Sequence, residues 1–198
     1  MTELAFLSPD RAKPTDRFKP MLKSSLERRL AEAGAEFAEH DGWLVATKVR
    51  GDDGLGLRVR DVTACSKLEV HGDVSELRAD DADVLRITPR RAIVFADYAR
   101  VDDLRSDLAA RFESVLDLTA ALAGLEIDGP GATTVMRRVT EHELDDLPAA
   151  APVAHVGPCF LLRAGDERYR IFFAQEYGHY LWEVVVDAAE PLGGGPSA

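Results

Sequence analysis

Residues 117–139, DLTAALAGLEIDGPGATTVMRRV, narrow the choice of fold more than any other stretch of the chain. Leu118, Ala120, Leu122, Leu125 and Ile127 are apolar with small neighbours between them, which predicts a strand. Asp128-Gly129-Pro130-Gly131 then turns the chain sharply. Ala132, Val135, Met136 and Val139 follow at i, i+3, i+4 and i+7, the apolar stripe of a helix. Asp128 is placed to cap that helix, and Pro130 sits where its missing N–H costs nothing. A strand feeding a helix through a Gly-Pro turn is a common αβ unit and names no function.

The rest of the chain supplies more elements of both kinds. Residues 1–20 hold Pro9, Pro14 and Pro20 among charges and read as an extended N-terminal arm. Residues 21–38 read as a helix with Leu22, Leu26, Leu30, Ala33 and Phe37 on one stripe. Strands follow over 42–49, 55–62, 67–71, 84–88 and 92–96, with a turn at 51–54 and a short helix at 74–77. Residues 102–112 predict an amphipathic helix with Leu104, Leu108 and Phe112 inward. Beyond the central unit, strands are expected at 153–156, 160–163 and 168–173. A last helix runs over about 176–187, and 191–198 form a disordered tail. This order predicts an α+β fold, with largely antiparallel sheets covered by helices on one side. The second half resembles a split, ferredoxin-like βαβ arrangement. Residues 21–190 then form one domain, or two subdomains at about 21–88 and 89–190.

Composition limits function. A formal net charge of −11, without any basic run, is a poor match to nucleic acid, whose binding needs Lys and Arg to neutralise phosphates. It also argues against an anionic membrane surface. The two cysteines, Cys65 and Cys159, lie far apart and form neither a disulfide framework nor a CxxC site. No stretch has signal-peptide or membrane-span character, so a cytoplasmic protein is expected.

Candidate chemistry is sparse. His155 stands four residues before Cys159, but two ligands do not make a zinc site. Cys159 opens an apolar strand and reads as a buried structural thiol. The turn DGPGATT lacks the lysine and the glycine spacing of a phosphate loop. Asp166 and Glu167 lie between two strands, where a turn explains them. At a pocket edge, Asp166 would accept hydrogen bonds from an aminopyrimidine such as a pterin, with Arg163 complementing an anionic tail. From the residues alone the turn reading is preferred.

Several segments, in order, resemble the glycine-cleavage T-protein (aminomethyltransferase) superfamily, which includes the folate-binding halves of dimethylglycine and sarcosine oxidases. These are LERRLAEAGAEFAEHDGW at 26–43, VRDVTACSKLEVHG at 59–72, AIVFADYARVDDL at 92–104, the strand–turn–helix at 118–135, and residues 160–182 ending in Leu-Trp. The resemblance implies a T-protein-like folate-binding fold lacking the C-terminal barrel domain. It also implies Asp166 as the residue nearest the family's pterin-binding glutamate. The family's folate-contacting asparagines fall near Ala96 and Ala99, which offer no side-chain hydrogen bond, and the segment holding the catalytic acid is shortened. In length and losses the chain looks most like the gamma subunit of heterotetrameric sarcosine oxidase. The implied role is that of an accessory, non-catalytic subunit beside larger flavoprotein and folate-domain subunits, with no cofactor of its own. The alternative is a small tetrahydrofolate-dependent aminomethyltransferase or methyltransferase, with tetrahydrofolate held by Asp166 and Arg163.

Overall fold

A computed structural model describes residues 21–198, so the arm expected over residues 1–20 lies outside the described residues. The chain runs β1 (Leu22–Lys23), α1 (Glu27–Glu32), β2 (Glu36–His40), β3 (Trp43–Lys48), β4 (Arg58–Asp61), β5 (Ser66–His71), β6 (Asp83–Thr88) and β7 (Arg91–Ala96). It continues through α2 (Val101–Arg111), β8 (Ser114–Asp117), β9 (Leu122–Asp128), α3 (Ala132–Val139), β10 (Ala149–Val153) and β11 (Val156–Gly165). β12 (Arg168–Ala174), α4 (Gly178–Ala189) and β13 (Gly195–Ser197) complete it. The fold is α+β, with sheets that are antiparallel apart from the β1–β3 and β13–β4 pairs.

The strands form a small sheet, β1-β3-β2, and two large ones, β10-β11-β12-β9-β4-β13 and β6-β7-β5-β8. The two large sheets face each other across a small apolar layer in which Phe95 stacks on Phe172 at 4.7 Å. Each carries helices only on its outer face. α3, α4 and α1 cover the six-stranded sheet, burying Leu125, Ile127, Val135, Met136, Leu181 and Val185. α2 covers the four-stranded sheet through Leu104 and Leu108. Pairing directions make β7–α2–β8 a split βαβ unit around β5, and set β12 and β13, joined through α4, parallel to each other with β9 and β4 between them. The ferredoxin-like expectation therefore holds for the connections.

The structure corrects several local expectations. The first helix is only Glu27–Glu32, because Gly34 at φ +83 turns the chain out and Glu36–His40 pairs with β3 as a strand. Leu22 is consequently exposed, while Leu26 and Leu30 are buried. Residues 74–77 form a turn closed by Leu77 N–H to the Val74 carbonyl, with no helix. The tail is ordered. Residues 195–197 pair in parallel with β4, and Asp52 accepts hydrogen bonds from Ser197 Oγ and the Ala198 N–H. A boundary between residues 88 and 89 would cut the β6–β7 hairpin, so chain order does not partition the sheets.

Asp128 does not cap α3. It is the last residue of β9, paired across the sheet with Arg58 and Arg168. The cap comes from Glu167, in the turn before β12. Its carboxylate accepts from the Thr133 N–H and the Thr133 hydroxyl, both at 3.0 Å. Tyr169 then donates its hydroxyl to Thr133 Oγ1 at 2.9 Å. Gly131, at φ +98, lets the chain enter the helix from the left-handed region.

A charged cleft between the sheets as candidate functional site

Three adjacent strands of the six-stranded sheet carry the same two-residue alternation. β4 reads Arg58-Val59-Arg60, β9 reads Leu125-Glu126-Ile127-Asp128, and β12 reads Arg168-Tyr169-Arg170-Ile171. The apolar members point to the helices and are buried. The charged members point between the sheets. Register brings them into two rungs, Arg60–Glu126–Arg170 and Arg58–Asp128–Arg168.

The inner rung is tight. Glu126 accepts from Arg60 Nη1 at 3.1 Å and from Arg170 Nε at 2.9 Å, and its side chain is only 5% exposed. Asp128 lies 3.4 Å from Arg60 Nη2 and 3.4 Å from Arg168 Nε. Such pairs offset the cost of burying each charge more than they add net stability. Four guanidinium groups against two carboxylates leave excess positive charge on this face. The opposite wall supplies Asp81, Asp83 and Asp97, which with Arg168, Arg170, Phe95 and Ala96 line a cleft of about 410 Å³. Burial raises the carboxyl of Asp83 above its ordinary range, and Arg170 opposes that shift. Neither Asp83 nor Asp97 makes a side-chain hydrogen bond among the described residues.

Beside this face Lys67 is fully buried. Its ammonium donates to the Thr63 carbonyl at 2.6 Å and lies 5.4 Å from the centre of the Phe172 ring. Burial lowers its pKa to about 8. Burial also raises the thiol of Cys65 and takes that of Cys159 up to about 11, and both cysteines are free. His155 and Cys159 gain no further ligands, and no set of three potential metal ligands exists among the described residues.

The two residues expected at a ligand border different hollows. Asp166 lines a cleft on the α3 side with Gly129, Pro130 and Glu167. Arg163 contributes to the wall of the inter-sheet cleft. Its guanidinium, however, donates to the Leu144 carbonyl at 3.0 Å and lies over the Tyr169 ring. Alternation explains the separation: Arg163 pairs with Tyr169, so it shares the helix-side face and not the face of Arg168 and Arg170. The residues missed by sequence reasoning are Arg58, Arg60, Glu126, Asp128 and Arg170. Their signal was present as charges at every second position of three strands, but which strands are neighbours was not.

Comparison of whole folds places this architecture. One chain of a heterotetrameric sarcosine oxidase from Corynebacterium sp. U-96, solved with pyrrole 2-carboxylate, superposes with a TM-score of 0.61. It is 19% identical, and the match covers 86% of this chain and 95% of that one. The glycine cleavage system aminomethyltransferase T from Bartonella henselae superposes with a TM-score of 0.66 at 15% identity. That match covers 89% of this chain.

This chain has the fold of those two proteins.

It spans 59% of the aminomethyltransferase chain. No family model matches the sequence, and no curated protein matches it. No helix among the described residues is long and apolar enough to cross a membrane.

Proposed function

We propose that this chain is an accessory, non-catalytic subunit of a folate-linked N-methyl amino acid oxidase or demethylase complex of the sarcosine or dimethylglycine type, working in the cytoplasm. The observation that carries this reading is its correspondence, almost end to end, with one chain of a heterotetrameric sarcosine oxidase. The inter-sheet cleft supports it. Its Arg170 and Arg168 are committed to Glu126 and Asp128, and Ala96 stands where the superfamily resemblance expects an asparagine. Larger flavoprotein and folate-domain subunits are the partners. Tyr177 and Tyr180, 41% and 46% exposed on the first turns leading into α4, offer them an aromatic surface, whereas Trp182 belongs to the core. Purification of the tagged chain from its own host, followed by native mass, tests the idea. The expected result is a stable complex with a flavin-bearing subunit, weakened by Tyr180→Asp. A chain that purifies alone as a monomer would sink it.

A second reading is favoured by Asp83 and Asp97, whose uncommitted carboxylates face Arg168 and Arg170 across the cleft. It is a small tetrahydrofolate-dependent aminomethyltransferase or methyltransferase, with Asp166 and Arg163 among the folate contacts. Titration of the isolated chain with tetrahydrofolate separates the two. The accessory role predicts no saturation at high micromolar ligand. Saturation lost in Asp97→Asn or Asp166→Ala would favour the enzyme.

A further inference from the structure

A third hollow, of about 510 Å³, lies at the far end of α3, between the helix C-terminus and the tip of the β10–β11 hairpin. Arg137, His142 and His155 border it, with Val139, Pro152 and Ala154 forming an apolar wall. We propose that this hollow binds a small organic anion, its carboxylate or phosphate head on Arg137 and His142 and its apolar body against Val139, Pro152 and Ala154.

Three observations carry the assignment. First, the Nε2 atom of His142 is shielded from solvent and has no hydrogen-bond partner. A polar atom removed from water without a partner is costly, and a bound acceptor would relieve that cost. Second, Arg137 makes no hydrogen bond or ion pair among the described residues, and the helix terminus does not require it. The Met136 carbonyl already accepts from the Thr140 N–H, the Val139 carbonyl accepts from the Ala154 N–H at 2.7 Å, and Arg138 is held by the Ala188 carbonyl. Third, the hairpin tip that places His155 at the rim is strained. Ala154 and His155 both adopt left-handed conformations, at φ +47 and +66, where glycine or asparagine would be cheaper. The tip is pinned there by Val139 and by the Tyr180 hydroxyl, which donates to the Ala154 carbonyl at 3.1 Å.

The chain's net charge of −11 repels anions in general, so an anion site needs a local group of cations, and Glu141 is the one acidic residue on this rim. No three metal ligands converge here among the described residues, so the chemistry selects an anion over a metal ion. The inference does not depend on assembly with a partner.

The test uses the full chain, labelled with ¹⁵N, titrated separately with benzoate and with phenyl phosphate while the imidazole nitrogens are followed by NMR. A saturable shift of the His142 Nε2 resonance with either probe is expected. Arg137→Gln should weaken binding about tenfold, the scale of one charge-assisted hydrogen bond, without changing the melting temperature. If His142→Gln does not fold, His155→Gln serves as the second variant, with a smaller loss. The two probes distinguish a carboxylate from a phosphorylated ligand. Shifts that grow linearly with both probes, or saturation unchanged by Arg137→Gln, would overturn the proposal.

Discussion

Leu125 and Glu126 are neighbours on β9, 0% and 3% exposed, yet they face opposite layers held together by different forces. The helix side of the six-stranded sheet is solved by area. Leu125, Ile127 and Ile171 meet the stripes of α3 and α4, and the hydrophobic effect needs no directional match. The inter-sheet side is apolar around Phe95 and Phe172 but charged along the two Arg–carboxylate–Arg rungs. Apolar packing there would join the sheets more cheaply. Arg168 and Arg170, one from each rung, instead line a polar cleft at the edge of the interface. The helix side is therefore held by apolar area alone, and the inter-sheet side by apolar contact and ion pairs together.

That contrast can be broken by mutation. The largest effect is expected for Glu126→Leu, which strands Arg60 and Arg170 without their carboxylate and should cost about 4 kcal/mol in denaturant unfolding. Adding Arg60→Met and Arg170→Met should recover most of that loss, because the buried Arg60–Glu126–Arg170 rung can be exchanged for apolar packing while Asp128 keeps Arg168. Leu125→Ala, one residue away, should cost about 3 kcal/mol, with no such rescue by polar partners. If Glu126→Leu proves harmless, the rungs are solvated and the two faces do not differ as argued.

Smaller effects sharpen the comparison. Glu167→Ala removes the cap of α3 and should cost about 1 kcal/mol. The Thr133 N–H holds the Glu167 carboxyl below its ordinary 4.5. Its contribution is therefore present above pH 4.5 and fades as the pH falls further, so parent and variant should converge in acid. Smallest at pH 7 is Lys67→Met. Lys67 releases its proton near pH 8 in the folded state and near 10.5 when unfolded. The unfolded chain binds more protons between those values, so Lys67 adds stability as the pH rises from 8 to 10.5. The variant should lose that rise while changing little at pH 7.

Much of the local structure was legible before the fold. The strand–turn–helix at 117–139 yields β9 and α3, because periods of 2 and 3.6 are written directly in Leu125, Ile127, Val135 and Met136. The turn at Asp166-Glu167 follows for the same local reason. The first helix misled because Ala33 and Phe37 continue the stripe past Gly34. The tail misled because three glycines look like a flexible end. Leu57 packs within reach of Gly194, and β4 supplies the edge against which residues 195–197 pair.

The site divides along the same line. Charge type and spacing on each strand, the apolar stripes, the free cysteines and the acidic balance all belong to the linear chain, since each depends on residues a few positions apart. Three facts belong to the tertiary structure alone: that Arg60 meets Glu126, that Glu126 meets Arg170, and that Glu167 caps a helix beginning 35 residues earlier. Strand order and register set those meetings. They are decided by how the helices and the second sheet cover the apolar faces, a competition over the whole chain that no window of sequence contains.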